Sequence, residues 1–166
     1  MRMRRFLAFF VVLVTSLAAT ACVVYEDGSD DEYVDWYGMN AEYHAAMASF
    51  PYQLPEGIDF PADAPFKPDE DDEAEFRVGI GESWIYEFAE CAYVSAVVAN
   101  QDGDFAAAMS AVDSIEELYQ APYYQQIWPE LSDNWEKVLD MARRGDFWEI
   151  NEFYHDACVA GWMGFK

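Results

Sequence analysis

The chain has 166 residues, 53% of them hydrophobic and 17% aromatic, with a formal net charge of −23 at pH 7. That length leaves room for one domain rather than a multidomain machine, and the apolar share excludes a disordered chain, because so much burial surface offsets the entropy of ordering. Nucleic acid is excluded as a partner: 9 Lys and Arg against 32 Asp and Glu, with the basic residues scattered, make a body that a polyanion repels.

Residues 1–21 read as an export signal. Met1–Arg5 is basic, Phe6–Leu17 is apolar apart from Thr15 and Ser16, and the side chains then shrink to Ala18-Ala19-Thr20-Ala21 before Cys22. A charged start, a short apolar core and small residues at the end are the parts of a secretory signal. The apolar run of roughly 16 residues falls short of the roughly 20 that cross a bilayer. The ending resembles the lipobox of bacterial lipoprotein precursors, in which a small residue precedes the cysteine that receives lipid. Cys22 matches that cysteine, Leu17–Ala21 match loosely, and Ala19 stands where the family most often has leucine. The resemblance covers residues 1–22 alone. It implies one partner, the membrane, with acyl chains such as palmitate on Cys22 holding the chain to the extracytoplasmic face. Ala19-Thr20-Ala21 also suits the ordinary secretory peptidase, so free secretion is the alternative. Residues 22–32 then read as an acidic tether: five of the seven residues Glu26–Glu32 are acids, and such a run stays solvated and extended.

With Cys22 spent on lipid, Cys91 and Cys158 remain. In an oxidising compartment two such cysteines are expected to pair, and two buried free thiols are the alternative. No Cys-x-x-Cys occurs, which argues against a redox dithiol or a zinc ribbon.

Residues 33–80 read as one helix, a proline-rich wrapping segment and an acidic hinge. Trp36, Met39, Tyr43, Met47 and Phe50 recur every three or four residues, which makes a helix face over Tyr33–Phe50. Five prolines between Pro51 and Pro68 then forbid helix or central strand, while the interleaved Leu54, Ile58, Phe60 and Phe66 suit a segment that wraps an apolar surface. Six acids in Asp69–Glu75 mark the hinge.

Residues 81–166 carry only helical periods, so the predicted class is all-α, a bundle of about four helices in two antiparallel hairpins. The first helix runs from about Glu82 to Asn100, and the second from Asp104, its cap, to about Tyr119 with Phe105, Met109, Val112 and Ile115 inward. An aromatic connector, Tyr123–Leu131, lies between Pro122 and Pro129. The third helix covers about Ser132–Arg144, with arginines at the end that the helix dipole favours for cations. Gly145 stops it, and the fourth starts at Asp146, with Glu149 at capping-box spacing and Phe147, Ile150, Ala157, Cys158 and Trp162 on its apolar side. A Cys91–Cys158 bond would set the first helix against the fourth and close the bundle.

Chemistry finds little foothold. With 32 carboxylates, some pair lies at catalytic separation in any fold, so paired acids carry no information. Asn100, Asp102 and Asp104 imitate a calcium loop, but Phe105 replaces its glycine and Ala111 its bidentate glutamate. His44 and His155 lack a second histidine at helical spacing. Arg144-Gly145-Asp146 reads as a helix stop and cap rather than an adhesion motif. No cofactor, metal or nucleophile motif is present. The surplus of aromatics is the remaining signal: Tyr119, Tyr123, Tyr124 and Trp128 form a candidate binding surface, with capping of the bundle's open end as the structural alternative. The expected function is therefore an envelope-anchored binding or interaction module rather than an enzyme, for a cationic or neutral partner that the negative field would favour. A hydrolase with a hidden carboxylate pair and a purely structural envelope component are the alternatives.

Overall fold

The computed structural model describes residues 32–69, 74–161 and 165, the side chains at 129, 132 and 133 aside. Its elements are β1 (Tyr33–Asp35), α1 (Trp36–Ser49), β2 (Glu75–Arg77), α2 (Ile80–Asn100), α3 (Phe105–Tyr119), α4 (Pro122–Ile127), α5 (Pro129–Arg143) and α6 (Trp148–Phe153), which runs on into π-helix over Tyr154–Val159. The signal, Cys22, the tether before Glu32, residues 70–73 of the acidic hinge and Trp162 lie outside the described residues.

The fold is mostly helical, with six helices and one small two-stranded sheet among the described residues. The helical class holds, and the strands correct only the reading of residues 33–80. Tyr33–Asp35, read as the start of a helix, instead pairs antiparallel with Glu75–Arg77, placing Val34 opposite Phe76; three-residue strands are too short to show an alternation. Asp35 then caps α1, its side chain accepting from the Gly38 N–H at 2.8 Å. Pro51 ends that helix by forcing the preceding Phe50 into extended backbone, with ψ at 120°.

Trp36, Met39 and Tyr43 of α1 share one apolar cluster with Trp84 and Ile85 of α2. The two helices approach closely at Gly81, where a Cβ would stand 2.5 Å from the Met39 carbonyl oxygen, so only glycine fits there. The proline-rich segment lies along this pair. The Tyr43 hydroxyl donates to the Pro61 carbonyl at 2.9 Å and the Tyr93 hydroxyl to that of Gln53 at 3.1 Å, while Phe50, Tyr52, Leu54 and Phe60 pack on the larger core.

That larger core centres on α2, which is buried almost all round because α1, α3 and the C-terminal helical segment pack against it. Asp104 caps α3 as its position predicts, accepting from the Ala107 N–H at 3.0 Å. Phe105, expected inside, is exposed: it opens the helix and meets Phe147 at its edge, leaving Ala108, Val112, Ile115 and Tyr119 as the buried stripe. Arg143 of α5 reaches Asp113 and Glu116 of α3 at 3.1 and 2.7 Å.

Gly145, at a φ of 86°, ends α5 in a Schellman arrangement. Its N–H donates to the Ala142 carbonyl and the Asp146 N–H to that of Met141. This moves the next helix. Asp146 belongs to the turn that closes α5; its carboxylate accepts from the Trp148 N–H at 3.2 Å, Phe147 takes the cap position, and α6 begins at Trp148. Cys91 and Cys158 are bonded, with Cα atoms 5.5 Å apart, tying α2 to the π-helical turn. The bridge points to an extracytoplasmic chain. Among the described residues no helix is long and apolar enough to cross a membrane.

Candidate functional site

Beneath the aromatic connector lies a cavity of about 330 Å³. Three neighbouring positions of α2 form one wall, since Glu87, Glu90 and Cys91 are spaced to share a helix face. Tyr119 from α3, Leu131 and Trp135 from α5, and Phe153 and Ala157 from the C-terminal segment complete it together with Tyr123, Tyr124 and Trp128. The connector is itself a short helix, α4, enclosed by prolines. Pro122 and Pro129 each occupy the first turn of a helix, where a missing N–H costs nothing, and so the chain folds back twice within a few residues. The π turn matters too. In it the Ala160 N–H bonds to the His155 carbonyl, and the extra residue per turn lets Ala157 line the cavity while its neighbour Cys158 reaches Cys91.

The four predicted surface residues do come together here, but three of them point inward. Tyr119, Tyr123 and Tyr124 are 2%, 7% and 2% exposed, and only Trp128, at 51%, stands toward solvent. Their burial has a physical cause: each hydroxyl finds a partner inside, so no polar atom is left unmatched. Tyr119 donates to one oxygen of Glu90, Tyr124 to the other at 3.1 Å, and Tyr123 to Ser83 Oγ at 2.8 Å. Their rings form a continuous chain. Tyr86 stacks on Tyr123 with centroids 4.2 Å apart, Tyr123 meets Tyr124 edge-on at 5.3 Å, and Tyr124 lies 4.6 Å from Tyr119. Tyr119 stacks on Trp135 at 5.2 Å, and Trp135 meets Phe153 at 5.1 Å.

Glu90, which sequence reasoning passed over, is the one buried charged side chain among the described residues. Burial pushes its carboxyl up to about 7, against the pull of the two tyrosine hydrogen bonds, and the charge of Glu87 adds to the rise. In turn, burial and the charge of Glu90 raise the Tyr119 and Tyr124 hydroxyls well above their ordinary value, so both remain donors. Burial also raises Tyr123. A signal for Glu90 exists in the sequence: it is the only charged residue in Phe88-Ala89-Glu90-Cys91-Ala92-Tyr93-Val94, a stretch apolar on every face of the helix.

Of the two histidines, His44 lies 3.4 Å from Asp63 and His155 sits on the π turn, neither at the cavity lining. The site thus offers aromatic faces, one carboxyl that changes charge near neutrality, and a second carboxylate at the wall. That equipment can hold a small apolar or cationic molecule or pass a proton to one. Comparison with models of protein families, with curated proteins and with solved structures finds no match to this chain.

Proposed function

We propose that the chain is an extracytoplasmic binding protein, tethered to the membrane through lipid on Cys22, whose cavity beneath α4 holds a small ligand. One observation carries this reading: a cavity of about 330 Å³ whose aromatic walls converge on the buried carboxyl of Glu90. Its size falls at the low end of small-molecule sites, which run from roughly 300 to 1,000 Å³. The same reading gives the acidic tether a purpose, holding the site away from anionic headgroups.

The neutral dye N-phenyl-1-naphthylamine tests it. Uptake should saturate at one molecule per chain, and Ala157→Phe, which fills the cavity from the π turn, should abolish uptake while the helical circular dichroism is retained. Uptake that never saturates, or that survives the substitution, would contradict the assignment. For the anchor, Cys22→Ser should move the protein from the membrane to the soluble fraction; a wild-type chain of unmodified mass would remove the lipid from the proposal.

A hydrolase is the second reading, and it draws on Glu90 and Glu87 lining one cavity, a neutral acid beside a carboxylate. Binding is preferred because both Glu90 oxygens already accept from tyrosine hydroxyls, which fixes the carboxyl as part of the cavity wall. Turnover that Glu90→Gln eliminates, with binding preserved, would reverse that preference.

A further inference from the structure

Resting on the binding reading above, we infer that the ligand of this cavity is an organic ammonium ion, fully alkylated at nitrogen and about the size of choline, held between aromatic faces against Glu90. Four features of the protein lead there.

The first is the character of the walls. Tyr119, Tyr124, Trp128, Trp135 and Phe153 line a single space, and a ring face turned to that space is the negative end of its quadrupole, which attracts a cation that has shed its water. The second is the sign of every nearby charge. Among the described residues the one charged group acting on Glu90 is Glu87, also negative, so these residues supply no counter-ion for the buried carboxyl; a ligand cation would supply it. Third, the chain as a whole carries −23, a field that draws cations toward the mouth of the cavity and repels anions.

The fourth feature selects the kind of cation. A primary ammonium carries three N–H donors and needs an acceptor for each. Tyr119 and Tyr124 already occupy one acceptor site on each oxygen of Glu90, and beyond the remaining sites of Glu90 and Glu87 the wall is ring and aliphatic carbon, the bonded sulfur of Cys91, indole N–H groups and tyrosine hydroxyls, which leaves few acceptors for three N–H groups. An alkylated nitrogen has no such demand: its charge is spread over methyl groups that pack against rings. The volume of about 330 Å³ suits that headgroup and excludes a folded peptide or a whole lipid.

Proton linkage follows from the groups that face Glu90. They are Glu87 on α2, Tyr119 on α3 and Tyr123 and Tyr124 on α4; the residues contributed by α5 and the C-terminal segment, Leu131, Trp135, Phe153 and Ala157, do not titrate, and Cys91 is bonded. The tyrosines stay protonated throughout the neutral range. Glu90 is therefore the group that ionises near neutrality, and cation affinity should rise with pH as it does so, with binding below that range releasing its proton.

Calorimetry on the intact protein decides the matter, using choline and 3,3-dimethylbutan-1-ol, the same shape with carbon in place of nitrogen. At pH 8 choline should bind at least about tenfold tighter than the alcohol, the scale of a desolvated cation over aromatic faces. The gap should shrink at pH 6, where titrations in buffers of different ionisation enthalpy should show proton release. Glu90→Gln should close most of the gap at pH 8, and the wild-type pH dependence keeps the test decisive if that variant fails to fold. Equal affinities, or tighter binding of the alcohol, would overturn the ammonium assignment while leaving a ligand site in place. So would failure of both compounds while the neutral dye still saturates the cavity. If the dye fails as well, the binding reading falls with it.

Discussion

Removing the Cys91–Cys158 bridge should cost the protein about 4 kcal/mol, the chain-entropy expectation for a loop of this length. The two cysteines are 67 positions apart, so the bond withdraws a large share of the unfolded chain's freedom. Against a total stability of roughly 5–15 kcal/mol for a domain, that is a major fraction. The effect should extend to the site, because Cys91 itself lines the cavity and Cys158 holds the π turn that brings Ala157 and Phe153 to it. Urea unfolding of a Cys91→Ser, Cys158→Ser double variant checks this: the midpoint should fall well below that of the oxidised protein, and dye uptake should weaken in parallel. A midpoint equal to the wild type would show that packing of α2 against α6 and its π turn suffices without the bond.

Glu90→Gln should act in the opposite direction, making the protein more stable above neutrality. The carboxyl ionises at 4.5 when freely solvated and at about 7 in the folded chain. Between those values the native state keeps a proton that the unfolded state has lost, so unfolding free energy falls as pH rises through that window and is level on both sides of it. The displacement corresponds to about 3 kcal/mol, the strain of holding an unpaired anion among aromatic rings. Glutamine has nothing to ionise, and it can still accept from one tyrosine hydroxyl and donate to the other. Denaturant unfolding at pH 4, 6 and 8 should therefore show the wild-type profile declining relative to the variant profile, the two diverging as pH rises. Parallel profiles would mean that Glu90 meets solvent or a cation in the folded chain.

The helical class was legible because the apolar periods of α1, α2, α3 and α5 are long, and because Asp104, Pro122, Pro129 and Gly145 punctuate them with cap and stop chemistry that the structure uses. The bridge was legible from compartment and count. The strands were not, since Tyr33–Asp35 and Glu75–Arg77 are short and are paired across a distance in sequence. The direction of Tyr123 and Tyr124 was not legible either: α4 has six residues, too few to define a face, and tyrosine suits a surface or a core that offers its hydroxyl a partner. That partner, Glu90, is concealed by composition. Among so many surface acids one more is unremarked, and only its position inside an all-round apolar run of α2 sets it apart, because a helix buried on every side leaves no exposed face for a charge.

Direct titration of the Glu90 side-chain carboxyl by carbon NMR, in the free protein and with saturating choline, tests the central claim that this cavity pairs a buried carboxyl with an organic cation. The free-protein midpoint should lie at about 7, be lowered by choline and be left in place by 3,3-dimethylbutan-1-ol. A midpoint in the ordinary glutamate range, or one that choline leaves where it was, would contradict it.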